Sequence, residues 1–265
     1  MTAQRRGAVV EIAGLRKEYR SSQGRVLALD DISFRVSPGE FVCIVGPSGC
    51  GKSTLLRILA GLDTQSGGSV RVEAPGWSVV NAMVFQESGL FPWMSAEANV
   101  GFGLMTRGVP RAQASERVEA ALALVGLARF RAHYPHQLSG GMRQRCAIAR
   151  AFVTDPAMLL MDEPFAALDA QNRTLLQAEL LRIWEDTRKT VVYVTHSIEE
   201  ALLLGDRTVL MTAQPGRIKR IIDVPFARPR DLMTLSASSE LGTLKLEIWR
   251  ALEDEVNRAR LEAQG

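Results

Sequence analysis

The sequence predicts an α/β fold, in which helices cover a mostly parallel sheet and a helical segment is inserted in the middle of the chain. Residues 41–45 and 158–161 are apolar runs of strand length, as in buried parallel strands. A helical pattern over residues 170–184 separates the second run from another strand-like run at 191–194. Alternating strands and helices favour right-handed crossovers and a parallel sheet. Residues 96–129 are rich in Ala, Leu, Glu and Arg at helical spacing, which predicts the insert.

The other elements follow from periodicity and turn residues. Alternating apolar positions predict strands at the start of the chain and in a late hairpin, and apolar stripes at helical spacing predict helices. The additional predicted strands are residues 9–12, 27–36, 208–211 and 217–222, and the additional predicted helices are residues 54–60 and 241–256. Pro225, Pro229 and residues 236–239 predict a linker before the last helix.

Composition excludes several classes of protein. The chain has 265 residues, 46% hydrophobic and 23% charged, which fits one large globular domain or a domain with an embedded subdomain. The net charge of +3 is too balanced to indicate a nucleic-acid partner. Three cysteines without metal-ligand spacing favour a reducing, cytosolic compartment. No apolar run approaches the length that spans a bilayer and no signal peptide is evident, so we expect membrane association only through a partner.

A glycine-rich loop follows the apolar run at 41–45. It matches the phosphate-loop pattern G-x-x-x-x-G-K-[ST] and consists of Gly46, Pro47, Ser48, Gly49, Cys50, Gly51, Lys52, Ser53 and Thr54. Glycines let backbone amides approach phosphate, and the helix that follows presents its positive end to an anion. Lys52 is expected to neutralise the β- and γ-phosphates, and Ser53 to bind Mg²⁺. The alternative is a glycine-rich turn that matches by chance, which the flanking strand and helix disfavour.

Two acidic residues end the predicted strand at 158–161. Asp162 and Glu163 precede Pro164, and carboxylates at the carboxyl end of a parallel strand lie where such sheets bind ligands. Asp162 is placed to hold Mg²⁺, and Glu163 to polarise an attacking water. Alone, the pair could be two solvated acids before a turn, but the phosphate loop favours the functional interpretation.

A second glycine motif precedes a predicted helix. Ser139, Gly140 and Gly141 lie within the string L-S-G-G-M-R-Q-R, and a serine with two glycines at a helix start can bind an anion. An ordinary serine N-cap followed by glycines is the alternative.

In this order and spacing, the phosphate loop, the LSGG string and the acidic strand end resemble the nucleotide-binding subunit of ATP-binding cassette (ABC) transporters, over about residues 9–229. The resemblance implies a P-loop NTPase (RecA-like) core with an antiparallel β subdomain and an inserted α-helical subdomain. It implies a nucleotide-binding domain over residues 1–229, with the helical part at about 88–150, and a C-terminal helical tail over 230–265. ATP and Mg²⁺ are the implied cofactors.

The resemblance also implies roles for four further residues. Tyr19 is expected to stack on adenine, and Gln86 to sense Mg²⁺ and the attacking water. Asp169 is expected to contact the opposing subunit, as part of the loop 167–169, and His196 to contact the γ-phosphate. Each has a plainer alternative: a surface tyrosine, a polar strand end, a helix N-cap and a structural histidine.

One phosphate loop and one LSGG string occur in the chain. In the family that it resembles, LSGG binds the nucleotide held by the other subunit. The resemblance therefore implies a head-to-tail homodimer with two ATP molecules at the interface. Glu163, Gln86 and His196 are the implied catalytic residues, and Ser53, Gln86 and Asp162 the implied metal ligands.

A finer resemblance, to the nitrate, sulfonate and taurine importer group, is carried by residues 46–62, 84–100, 162–170 and 205–218. It implies an ATP-hydrolysing subunit that powers import of a small solute through a separate membrane permease, and indirectly serves a solute-binding protein. The implied location is peripheral, at the cytoplasmic face of the inner membrane. A non-transport soluble ABC ATPase and an exporter cassette are the alternatives.

Two local features have open alternatives. An apolar segment, Leu90 to Trp93, follows Gln86 and is costly to expose, so it either binds a coupling helix of the permease or buries Trp93 in the helical insert. Cys50 lies just before a helix N-terminus, where a thiol can have a lowered pKa and react readily, or can be neutral, buried and inert.

Overall fold

The computed structural model describes residues 7–21, 24–166 and 168–262, which form two sheets with helices around them. The strands are β1 (Val9–Ser21), β2 (Gly24–Val36), β3 (Phe41–Val45), β4 (Gly67–Glu73), β5 (Asn81–Val84), β6 (Met158–Asp162), β7 (Thr190–Thr195), β8 (Arg207–Met211) and β9 (Ile218–Asp223). The helices are α1 (Lys52–Leu59), α2 (Ala96–Met105), α3 (Arg111–Leu124), α4 (Gly140–Val153), α5 (Ala170–Thr187), α6 (Ile198–Leu204), α7 (Leu232–Ser236) and α8 (Ser239–Glu262). Within these ranges no helix combines the length and the apolar character needed to cross a membrane.

The larger sheet has the order β5-β6-β7-β3-β8-β9 and is parallel except for β9, as predicted. β3, β6 and β7 are buried along their whole length, which agrees with their apolar sequences. The register pairs Val45 with Thr195 and Asp162 with Val194. The loops that follow these three strands therefore leave the sheet at one edge.

The smaller sheet is antiparallel, with the order β2-β1-β4. β1 is much longer than the predicted strand at 9–12. Its register with β2 shifts between Ile12 and Lys17, where Gly14 takes a φ of 57°, and the prediction ended at the start of this irregular stretch. Such irregularities interrupt the alternation of apolar residues by which a strand is recognised. β4 was missed for another reason: it pairs at the edge of this sheet and none of its residues is buried.

The inserted helices lie between β5 and β6 in the chain. α2 and α3 replace the single helical stretch predicted over 96–129, because Gly108 takes a φ of 70° and Pro110 precedes α3. Val100, Leu104 and Leu122 are among the buried residues that join these helices to the main hydrophobic core.

The end of the chain packs on the same core. β8 and β9 form the predicted hairpin. The predicted linker contains the short helix α7, which was not foreseen. α8 covers the predicted apolar stripe, and Leu241, Ile248 and Leu252 are buried in the main core.

Trp184, on α5, joins several elements. Its side chain is 1% exposed, its ring meets the ring of Phe41 edge-on at 5.7 Å, and its Nε1 donates to the carbonyl oxygen of Lys189 at 2.8 Å. The guanidinium of Arg228 lies 4.1 Å from the ring centroid. Trp184 therefore ties α5, β3 and the segment after β9 together.

We expect Trp184→Ala to lower the free energy of unfolding by about 3–5 kcal/mol, because it removes a fully buried aromatic ring and its hydrogen bond. Trp249→Ala is the matched control: this ring is 49% exposed on α8, and we expect a change within about 1 kcal/mol. Urea denaturation followed by far-ultraviolet circular dichroism measures both. Equal effects for the two variants would contradict the assigned packing.

Candidate functional site

The phosphate loop connects β3 to α1, as its sequence context predicts. Gly49 and Gly51 take φ angles of 79° and 96°, in the left-handed region that favours glycine. A Cβ on Gly51 would lie 2.6 Å from Cδ2 of Leu29. Gly51 is also the N-cap of α1 and has no side chain with which to accept from the first turn, so the amides of that turn are available to an anion.

Lys52 is folded into the loop. Its side chain is buried, and its ammonium donates to the carbonyl oxygens of Gly46 at 2.8 Å and Pro47 at 2.7 Å. Backbone amides and a buried ammonium are the groups that hold a polyphosphate.

Asp162, the last residue of β6, lies near Ser53 in the first turn of α1. Asp162 is buried, and the hydroxyl of Ser53 donates to its carboxylate. Burial raises the pKa of Asp162, and the negative charge of Glu163 raises it further, while the Ser53 hydrogen bond and the nearby cations Arg57 and Lys52 lower it. A hydroxyl beside a buried carboxylate is an oxygen donor set suited to Mg²⁺.

Glu163 is contacted by the other two predicted catalytic residues. Gln86 Nε2 donates to Glu163 Oε2 at 3.4 Å, and His196 Nδ1 lies 3.2 Å from the same oxygen. Glu163 has a φ of 46°, and its amide donates to the carbonyl oxygen of Val194 at 3.0 Å. The three side chains come from the loops after β5, β6 and β7, so the parallel register brings them together.

These groups line a cleft of about 340 Å³. Its described lining residues are Ser48, Gly49, Gly51, Lys52, Ser53, Thr54, Gln86, Glu163 and His196. The cleft therefore combines phosphate-loop residues with all three predicted catalytic residues.

Tyr19 lies at the far end of the phosphate loop. Its hydroxyl donates to Asp63 Oδ2 at 2.8 Å and is 3.4 Å from Thr54 Oγ1. The ammonium of Lys17 is 4.6 Å from the ring centroid and donates to Asp63 at 2.5 Å, and this hydrogen bond is the main cause that lowers the pKa of Asp63. The ring is partly exposed and anchored beside α1.

The LSGG residues and Asp169 are not among the described residues that line the cleft. Ser139 caps α4 by accepting from the amide of Met142 at 3.2 Å. Asp169 caps α5 by accepting from the amide of Asn172 at 3.0 Å, and hydrogen bonds from Asn172, the side-chain amide first, lower the pKa of Asp169. Ala167, in the predicted contact loop, lies outside the described residues.

The family model described as "ABC transporter" matches residues 29–166, which is more than half of the chain. The chain belongs to the ABC transporter family. It is an ATP-binding cassette with ATPase activity, and the P-loop NTPase fold class predicted from its sequence is confirmed.

Relatives with assigned names are similar over most of the cassette. A taurine import ATP-binding protein of Chromobacterium violaceum is 50% identical over 204 residues, which cover 76% of this chain and 78% of that protein. An aliphatic sulfonates import ATP-binding protein of Bacillus thuringiensis is 42% identical over 243 residues, which cover 90% and 94%. A solved dimeric ATP-binding cassette, in a post-hydrolysis state bound to ADP and Pi, superposes with a TM-score of 0.74 at 32% identity, covering 82% of this chain and all of that one.

Two residues of the cassette's α4 hold the loop that carries Gln86. Gln144 is 2% exposed, and its Nε2 donates to the carbonyl oxygen of Phe85 at 3.1 Å. Arg150 donates to the carbonyl oxygens of Gly89 at 2.8 Å and Ser88 at 3.1 Å. Sequence reasoning missed both, although polar residues on the apolar face of a predicted helix were a usable signal.

A buried carboxylate lies behind His196 and was also missed. Glu200, on α6, accepts from Gln177 Nε2 at 2.7 Å and from the hydroxyl of Thr195. The Thr195 hydroxyl oxygen in turn accepts from the amide of Ser197 at 3.0 Å, so the backbone on both sides of His196 is held. The signal was a pair of glutamates, Glu199 and Glu200, within the otherwise apolar run 198–204.

Trp93 does not pack into the core of the helical insert, so that alternative is wrong. Its side chain is 69% exposed and touches the ring of Phe91 at 5.6 Å. The ring of Phe91 packs against the ring of Phe102, with the centroids 4.7 Å apart. The side chain of buried Asn99 accepts from the amide of Phe91 and donates to its carbonyl oxygen. Binding of a permease coupling helix to segment 90–93, with its exposed indole, therefore stays a prediction.

Cys50 is 1% exposed, and burial raises the pKa of its thiol more than the neighbouring Lys52 lowers it. The hypothesis of a lowered pKa is therefore wrong. The Sγ is packed beneath the loop, 2.9 Å from where a Cβ on Gly46 would lie, and burial outweighs the hydrogen bonds that it receives from Lys52.

We expect Cys50 to resist maleimide in the native cassette and to react fully in urea. At pH 7 to 8 a buried thiol with a raised pKa is almost entirely protonated, and only the thiolate is nucleophilic. Peptide mass spectrometry after timed labelling measures the rate. Cys43 and Cys146, also buried with raised pKa values, are internal controls. Rapid labelling of Cys50 alone would contradict this environment.

Proposed function

We propose that this cassette is the ATP-hydrolysing subunit that powers import of a small solute through a separate membrane permease. The observation that carries the hydrolytic part is the convergence of Gln86 and His196 on one oxygen of Glu163, in the cleft that holds Lys52. Support for import comes from relatives named for taurine and aliphatic sulfonates. The proposed solute class is therefore sulfonates such as taurine, and the sequence resemblance adds nitrate.

ATP would bind through its phosphates. The loop amides and the ammonium of Lys52 would hold the β- and γ-phosphates, and the ring of Tyr19 would stack on adenine. Ser53 and Asp162 would hold Mg²⁺ together with Gln86. When bound, the ion would neutralise charge on the phosphate oxygens.

Glu163 is the proposed general base. Its carboxylate would accept a proton from the attacking water, while Gln86 and His196 hold it in place through Oε2. His196 would also contact the γ-phosphate, so that charge develops next to fixed donors.

A complete site would need a second copy of the chain. Ser139, Gly140 and Gly141 are not among the described cleft residues, which supports the proposal that they contact ATP held by the partner in a head-to-tail homodimer. Asp169 would meet the opposing copy beside them. A dimeric relative of the same fold supports this arrangement.

The permease would bind at the exposed apolar segment 90–93. Contact there would hold the cassette at the cytoplasmic face of the inner membrane, and a solute-binding protein would deliver the solute on the other side. The proposed division is a cassette over 1–229, with the helical part at about 88–150, and a tail over 230–265.

We expect Glu163→Gln to lower ATP turnover by about 10²–10⁴-fold, because an amide cannot accept the proton from water. ATP affinity should be retained, since phosphate binding belongs to the loop. Phosphate release and equilibrium binding of a fluorescent ATP analogue measure the two effects. Glu73→Gln, an exposed glutamate on β4, is the control and should match the unchanged chain.

Lys52→Ala separates binding from catalysis. Loss of the loop ammonium should weaken ATP binding itself, by at least about tenfold for a charge-assisted contact to phosphate. Unchanged ATP affinity in Lys52→Ala, or lost affinity in Glu163→Gln, would contradict the assigned roles.

We expect the Glu163→Gln chain, with ATP and Mg²⁺, to retain a multi-span membrane protein from solubilised membranes. Adding Trp93→Ala should abolish this retention, because it removes the exposed anchor, while adding Trp249→Ala should not. A permease accompanied by a solute-binding protein identifies an importer, and that protein can be tested against taurine and nitrate. Retention of soluble proteins alone favours a non-transport ATPase, and a permease that acts without such a protein favours an exporter.

A further inference from the structure

The phosphate loop rests on the turn that joins β8 to β9. The amide of Gly216 donates to Ala28 and the carbonyl of Gly216 accepts from the amide of Asp30, both at 3.0 Å, which fixes this turn against β2. A Cβ on Gly216 would overlap the carbonyl oxygen of Cys50. The backbone of the turn therefore lies in direct contact with the backbone of the loop.

The start of the loop touches the same hairpin. A Cβ on Gly46 would lie 3.0 Å from Cβ and 3.1 Å from the carbonyl oxygen of Met211, the last residue of β8. The hairpin thus supports the loop at two points, Gly46 and Cys50. A shift of the turn must displace the loop or open a gap beneath it, because packed interiors have little free space.

The turn is closed by its own hydrogen bonds. The amide of Thr212 donates to the carbonyl oxygen of Arg217 at 2.9 Å, and the Thr212 hydroxyl donates to the carbonyl oxygen of Pro215 at 3.0 Å. The amide of Arg217 donates back to that hydroxyl at 3.0 Å. Residues 212–217 therefore move as one unit.

A carboxylate from the C-terminal helix α8 holds this unit. Glu255 is 5% exposed, and its Oε2 accepts from the buried amide of Ala213 at 3.0 Å. Its Oε1 accepts from the ammonium of Lys219, on β9, at 2.8 Å. Burying a carboxylate is costly unless it is paired, so this one serves to hold particular partners in place.

We propose that Glu255 is a positioning residue through which α8 sets the affinity of the phosphate loop for ATP. The path runs from the carboxylate to Ala213, through the closed turn to Gly216, and on to Cys50. This role of Glu255 rests on the proposed function only because it takes ATP as the ligand of the phosphate loop. Glu163 and His196 follow other strands, so we expect this path to affect ATP binding more than proton transfer to Glu163.

The test compares four variants by equilibrium binding of mant-ATP and by phosphate release. Glu255→Leu removes the contacts to Ala213 and Lys219 and should weaken mant-ATP binding by about three- to tenfold, with turnover at saturating ATP within about twofold of the unchanged chain. Glu255→Gln keeps an oxygen that can accept from Ala213 and should restore most of the affinity. Lys219→Met leaves the Ala213 contact and should bind nearly normally. Glu253→Gln, exposed on the same helix, is the control.

A packing role alone predicts a different result. Glu255→Leu would then unfold at a lower temperature and contain less active protein, but its folded fraction would bind mant-ATP with unchanged affinity, and this outcome overturns the proposal. Gly216→Ala tests the same path from the turn if Glu255→Leu does not fold: its Cβ must displace the loop, and unchanged affinity there also overturns the proposal. If the unchanged chain binds mant-ATP without hydrolysing ATP, the proposed function fails, while the comparison of affinities still stands.

Discussion

The parallel register of β3, β6 and β7 is the constraint on which the site depends. Val45, Asp162 and Thr195 end these strands at one edge of the sheet, so the phosphate loop, Glu163 and His196 emerge side by side. The phosphate loop precedes Glu163 by more than 100 residues and His196 follows Glu163 by 33, so hydrogen bonds between strands, rather than local structure, bring the three together. A slip in this register would separate the carboxylate from both its partners and the loop.

Buried polar side chains then hold the loops that the sheet has placed. Gln144 holds the backbone before Gln86, Glu200 holds the backbone around His196, and Glu255 holds the turn beneath the phosphate loop. Each is a polar group within an apolar surface, and each bonds to residues outside its own helix. An unpaired buried polar group is costly, so each of these side chains favours the loop conformation that pairs it. These hydrogen bonds hold the loops more rigidly than packing alone would.

Most of the site could be predicted because its chemistry is local in sequence. The phosphate loop, the acidic strand end and the LSGG string each occupy a few consecutive residues with a clear physical purpose. Cys50 shows the limit of that reasoning: its position before a helix suggested a low pKa, but burial of the thiol raises the pKa more than Lys52 lowers it. Trp93 shows another limit, since apolar character predicts burial as readily as an interface, and only its exposure separates the two.

The sequence by itself determined the fold class, five of the six strands of the larger sheet (β5 is the exception), the phosphate loop and the acidic pair, because apolar periodicity and short motifs reflect local backbone chemistry. The tertiary structure alone decided which groups meet: Gln86 and His196 share one oxygen of Glu163, and the LSGG residues are not among the described residues that line the cleft of their own chain. It also decided that a glutamate of the last helix reaches the turn below the phosphate loop. These contacts join residues far apart in the chain, and their geometry follows from strand register and packing, which no local pattern encodes.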